Sequence, residues 1–203
     1  MTATIRSSSI TRQTRETDIR IELVVDGTGR HDISTGIGFL DHMLTAMAVH
    51  GRFDLVVRAT GDLHISQHHT VEDTGIVLGQ AFAHALGTKA GIRRYGHAYV
   101  PMDEALVRGV VDLSGRAFAR INIPFRPVLG PVGFDYALTS EFVWGFARAA
   151  AATVHIDAVE GANNHHMCEG AFKALARALD EATLIDPRLG DALPSTKGGF
   201  DGA

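Results

Sequence analysis

Residues 68–87 read HHTVEDTGIVLGQAFAHALG and residues 165–182 read HHMCEGAFKALARALDEA. Each opens on a histidine doublet, places a glutamate four residues after the first histidine, and continues with apolar residues at amphipathic-helix spacing. The surroundings repeat as well. GFLDHMLTAMAVHG (38–51), a helix closed by Gly51, and the strand FDLVVRAT (53–60) lead into the first segment. TSEFVWGFARAAAA (139–152), a helix, and the strand TVHIDAV (153–159) lead into the second. Further upstream, DIRIELVVDGTGRHDIST (18–35) alternates apolar and polar residues on both sides of DGTG and predicts a hairpin. HAYVPMDEALVRGVVDLSGRAFARINI (97–123) predicts strands broken at DLSG, and VVDGTGR (24–30) rhymes with VVDLSGR (110–116).

The period, about 90 to 100 residues, is too long for a solenoid unit. It predicts an α+β fold made by internal duplication of a half-domain. Each half is an antiparallel or mixed sheet with two helices on one face, and the helices of the two halves pack together. One domain then spans residues 1–203, with repeats at about 10–90 and 91–186 and a C-terminal tail at 187–203 that lacks periodicity. The seam falls in TKAGIRRYG (88–96).

The bulk composition narrows the function. With 45% hydrophobic and 21% charged residues the chain is an ordinary globular sequence, and a formal charge of -4 gives no basic excess for nucleic acid or an anionic membrane. A small-molecule substrate is the better expectation. MTATIRSSSITRQTRET has no signal-peptide core and no run approaches the roughly 18 apolar residues of a membrane span, which predicts a cytoplasmic protein. The single cysteine, Cys168, excludes an intramolecular disulfide and any thiolate cluster, so a metal must be held by nitrogen and oxygen. Eleven histidines in 203 residues make such a site the leading candidate.

On a helix, the first histidine and the glutamate of HHxxE lie one turn apart on one face and can reach one ion. The second histidine is rotated by about 100° and is directed to another. A lone HHxxE is commonly an exposed helix start; two copies at matching places predict two related metal sites. Imidazole and carboxylate without thiolate suit manganese, iron or zinc, and oxygen-containing octahedral sets favour manganese or iron. His42 and Glu141, at nearly equivalent places in the preceding helices, would complete the sets. A dinuclear hydrolase and a metal-storing or metal-sensing protein remain open at this point.

FLDHM, RATGD, HHTVED, PMDEAL, VDLSGR, HHMCEGAFKA and PSTKG, in this order over almost the whole chain, closely resemble the imidazoleglycerol-phosphate dehydratase family. The resemblance implies a ribosomal protein S5 domain 2-like fold and a hydro-lyase of histidine biosynthesis that converts imidazole glycerol phosphate to imidazole acetol phosphate. It implies two Mn2+ per active site and a homo-oligomer of 24 subunits with active sites at subunit contacts. The implied metal ligands are His42, His68, His69, Glu72, Glu141, His165, His166 and Glu169. One ion would take His68, Glu141, His165 and Glu169, the other His42, His69, Glu72 and His166. Members carry either histidine or glutamate at the position of Glu141.

The resemblance also places the substrate phosphate on Arg94, Arg116, Lys173, Ser195 and Lys197, the last two on a tail able to cover bound substrate. Glu16, His42, His50, His68, Glu72 and His165 join the substrate-binding set. Glu16 and Asp103, with the ligand carboxylates Glu72 and Glu169, are the catalytic candidates. The implied route runs through a metal-bound imidazolate and a diazafulvene-like intermediate.

Overall fold

In the computed structural model, residues 5–200 are described; the ends of the expected 1–203 domain and the last residues of the tail, 201–203, lie outside them. The first half comprises β1 (Ser7–Gln13), β2 (Thr17–Val24), β3 (His31–Ser34), α1 (Gly38–Gly51), β4 (Asp54–Gly61) and α2 (His68–Leu86). The second comprises β5 (Tyr95–Met102), β6 (Ala105–Asp112), β7 (Phe118–Asn122), α3 (Leu138–Ala150), β8 (Thr153–Glu160) and α4 (Asn164–Thr183). The two sheets have the same topology, β1-β2-β4-β3 and β5-β6-β8-β7. This is the duplicated α+β half-domain expected from the repeat.

The pairing corrects one expectation. Residues 18–35 are not a hairpin, because β4 lies between β2, to which it is antiparallel, and β3, to which it is parallel. DGTG is instead a loop held from outside, where the Asp54 carboxylate accepts the N–H groups of Thr28 and Arg30 at 2.7 and 3.0 Å. A parallel β3–β4 contact needs a crossover, and α1 supplies it. The true hairpins are β1–β2 and β5–β6, so the second half breaks first at Asp103–Glu104, where Asp103 is left-handed (φ 50°). Gly51 is the last residue of α1 and the left-handed stop is Arg52 (φ 58°).

The sheets form the outer layers and the helices the inner ones. Helix α2 lies on the first sheet and α4 on the second, while α1 packs on α4 and α3 on α2, across the halves. All four helices point the same way. Met43 and then His50 of α1 meet Cys168 and then Arg177 of α4. Gly75 and Gly79 of α2 meet Phe142 and Phe146 of α3. Thr139 and Phe142 of α3 meet Cys168 and Phe172 of α4. The four N-termini therefore gather at one end of the sandwich, and the inner layers are filled by Phe53, Phe82, Phe142, Phe146 and Phe172, all buried.

At Gly75 a Cβ would collide with the Phe142 carbonyl oxygen, whereas at Gly38 it would meet open space. Gly75→Ala should therefore lower stability by about 1–3 kcal/mol through overpacking, although alanine gains about 1 kcal/mol in helix propensity. Gly38→Ala should leave the melting temperature unchanged or raise it. Equal shifts in thermal melting would contradict the close approach of α2 and α3.

Candidate active site

The cross-packing of α1 on α4 brings His42 to His165 and Glu169. His42 Nε2 and His165 Nε2 each lie 3.1 Å from Glu169 Oε2, and one ligand atom from each residue falls within 4.8 Å of the others. Among the described residues this is the one such group of three. Phe39 packs against the His165 and His42 rings, with centroids at 5.2 and 6.4 Å, and orients both. Lys173, one turn along α4, places Nζ 2.6 Å from Glu169 Oε1. Burial opposes ionisation of Glu169, but the bonds from Lys173 and His42 outweigh it and hold the carboxyl below its ordinary range. Two imidazoles and an ionised carboxylate, converging at an open helix end, fit a manganese- or iron-type ion and leave positions for further ligands.

The other half offers a related but looser arrangement. His68 Nε2 is 3.5 Å from Glu72 Oε2. Gly145 of α3 lies against the Glu72 carbonyl, so Glu141, one turn earlier in α3, stands at the level of the His68–Glu72 turn. The nearness of His42 to His165 and Glu169 within one chain comes from packing: α1 lies on the other half's last helix, not on its own.

The second histidine of each doublet turns away from the first, with ring planes at 80° for His68 and His69 and 84° for His165 and His166. His69 Nδ1 faces Asp62 at 3.0 Å with Glu16 further out at 3.9 Å, and the Asp62 bond raises the pKa of His69. His166 Nδ1 faces Glu104 at 2.7 Å, and its Nε2 is 3.8 Å from Asp103. The His166 bond, with N–H donors from Asn163 and Ala162, draws the Glu104 pKa down to about 2. Asp62 and Glu104 were not singled out from the sequence; their only signal was a place in RATGD and PMDEAL.

The expected phosphate residues divide into two places. Lys173 stands with the ligand group. His50 is close by, at the end of α1, its pKa lowered by burial and then by the Lys173 charge; it lines a cavity of about 610 Å³ with Arg93, His97 and Arg177. Arg94 and Arg116 are elsewhere, with Asp112 between them at 2.7 and 4.0 Å. The tail docks there. Arg94 donates to the Pro194 carbonyl at 2.7 Å, Ser195 Oγ donates to the Gly199 carbonyl at 2.8 Å and accepts from Lys197 N–H at 3.2 Å, and the Phe200 ring lies under Arg94 and the buried Lys89. The Arg94 N–H bonds the Ala182 carbonyl at the far end of α4. At 1.5 Å per residue, Glu169 and this cluster are about 20 Å apart along the helix.

The sequence profile of the imidazoleglycerol-phosphate dehydratase family matches residues 35–179. Imidazoleglycerol-phosphate dehydratase from Herminiimonas arsenicoxydans is 55% identical over 197 residues, covering 97% of this chain and 98% of its own. The protein of that name from Bordetella pertussis is 56% identical over 195 residues, covering 96% and 99%. Among solved structures, imidazoleglycerol-phosphate dehydratase from Staphylococcus aureus superposes with a TM-score of 0.79 at 38% identity, covering 89% of this chain and 99% of its own. IGPD from Pyrococcus furiosus gives 0.80 at 40% identity, covering 94% and 99%.

Glu169→Gln removes the charge that binds Lys173, His42 and His165 together. In metal-stripped protein it should cost about 2 kcal/mol, the scale of a hydrogen bond to a charged group. Urea denaturation measures this, and an unchanged midpoint would show that the carboxylate does not hold the group.

Proposed function

Because the chain belongs to the imidazoleglycerol-phosphate dehydratase family, we propose that it acts in histidine biosynthesis, removing water from imidazole glycerol phosphate to give imidazole acetol phosphate. The observation that carries this reading is the convergence of His42, His165 and Glu169 beside Lys173. One Mn2+ would be held by His68, Glu141, His165 and Glu169, the other by His42, His69, Glu72 and His166, with the sets completed across a subunit contact. When bound, the ions supply Lewis acidity toward the substrate's imidazole ring.

The chain's own residues account for the remaining demands. Lys173 lies beside the ligand group and, with Arg94, Arg116, Ser195 and Lys197, gives the phosphate dianion forked and point-charge partners. His50 lies beside Lys173 and contributes to substrate binding. The hydrogen to be removed sits on a carbon without an adjacent carbonyl, so ring electrons expel the hydroxyl of the adjoining carbon, which leaves as water with the ring N–H proton and gives a diazafulvene-like intermediate. The Glu16 carboxylate then takes the proton of the next carbon while a ring nitrogen regains one, leaving an enol that becomes the ketone. Asp103, exposed beside His166, is the second proton-transfer candidate. The tail carrying Ser195 and Lys197 covers the substrate and excludes water.

The separation of about 20 Å between the ligand group and the Arg94 cluster favours an active site shared between copies of the chain. A cytoplasmic homo-oligomer of 24 subunits is the assembly this reading takes from the family resemblance. No helix among the described residues is long and apolar enough to cross a membrane.

Chelation should abolish dehydratase activity and Mn2+ should restore it; full activity after complete metal removal would sink the reading. Arg94→Ala should raise KM roughly 10- to 100-fold, the equivalent of losing a charge-assisted hydrogen bond. Glu169→Ala and Arg94→Ala chains, each impaired alone, should regain activity when dissociated and reassembled together. A mixture no more active than its components would place both residues in the same chain's site.

A further inference from the structure

Two carboxylates outside the ligand and substrate sets stand against the second histidine of each doublet. Asp62, just beyond β4, places its oxygens 3.1 and 3.0 Å from His69 Nδ1. Glu104, in the β5–β6 turn, places Oε2 2.7 Å from His166 Nδ1. A neutral imidazole has one N–H and one lone pair, so an acceptor at Nδ1 fixes the proton there and leaves Nε2 as the metal-binding nitrogen.

These two carboxylates are not counterparts in the repeat. Glu104 directly precedes Ala105, the first buried residue of β6, and Glu16 directly precedes Thr17, the first buried residue of β2. Glu16 is therefore the counterpart of Glu104. Gly61 lies against Thr17 and Thr70 as Gly161 lies against Ala105 and Met167, so the counterpart of Asp62 is Ala162, which carries no carboxylate. In the second half Glu104 bonds His166 and also accepts the N–H groups of Ala162 and Asn163 at 3.2 and 2.8 Å. In the first half Asp62 occupies His69 Nδ1, and the Glu16 carboxylate stays 3.9 Å away, beyond hydrogen-bonding distance.

We propose that Asp62 and Glu104 are positioning residues that hold Nδ1–H of His69 and His166 and so present Nε2 to the metal, and that Asp62 does this in place of Glu16, leaving the Glu16 carboxylate free for proton transfer. This rests on the dehydratase reading above. A carboxylate already committed to an imidazole N–H and two backbone N–H groups, as Glu104 is, has little capacity left to accept a substrate proton. The two halves thus hold their second histidines alike but by different residues.

The test titrates Mn2+ alone into chelator-stripped, assembled protein and follows the free ion by electron paramagnetic resonance. Asp62→Ala and Glu104→Gln should weaken Mn2+ binding roughly 10- to 100-fold, the usual cost of losing an outer-shell partner. Glu16→Gln should leave Mn2+ affinity unchanged yet lower kcat at saturating Mn2+, whereas Asp62→Ala should recover much of its kcat when Mn2+ saturates. Unchanged affinity in Asp62→Ala and Glu104→Gln, or equal weakening in Glu16→Gln, overturns the proposal. If Asp62→Ala fails to assemble, Asp62→Asn keeps the shape without the charge and carries the same expectation of weaker binding. Wild-type protein that takes up no Mn2+ would instead overturn the metal reading itself.

Discussion

Helices α2 and α3 meet backbone to backbone, and the rest of the molecule depends on that approach. At Gly75 and Gly79 no Cβ fits against the carbonyls of Phe142 and Phe146, and at Gly145 none fits against that of Glu72. Helices this close cannot slide by part of a turn without losing the fit, so their relative height is set. That height brings Glu141 level with His68 and Glu72. The four helices start together, and their first two turns carry the expected ligands. The positive ends of four parallel helix dipoles converge on the same region and favour the carboxylates placed there.

Much of this was legible in the sequence. The doubled HHxxE and the flanking helix and strand periodicities identified the duplication, because both signals are local. The hairpin expected at 18–35 failed because β4 inserts between β2 and β3, a long-range pairing that leaves no mark on alternation. Strand β1 escaped notice because it lies at a sheet edge, where RSSSITRQ exposes most of its residues and lacks apolar alternation. The 100° divergence of neighbouring histidines was readable from helix geometry. The placing of His42 beside His165 was not, since that follows from α1 crossing to α4.

Charge is distributed to match the two ends of α4. At its start, Lys173 and Glu169 pair within one turn, and the carboxyl is held below its ordinary range despite burial. At its far end, Asp112 sits between Arg94 and Arg116, and the tail lends Arg94 a carbonyl from Pro194. Neither end of the helix holds both the imidazole cluster and the Arg94 cluster, so a phosphate and an imidazole ring on one small molecule cannot meet both within a single chain.

The packing of α1 on α4 and α3 on α2 has the reciprocal geometry of an isologous contact, in which one patch meets its own twin across a two-fold axis. In a true homodimer, every change on one side is forced on the other. Here the two partners are covalently joined and separately encoded, so matched positions can take different duties. Glu104 is tied to a histidine and backbone donors while Glu16 is not, and Ala162 stands where Asp62 stands in the other half. The fusion of the halves keeps the mechanical benefit of symmetry while removing its genetic constraint.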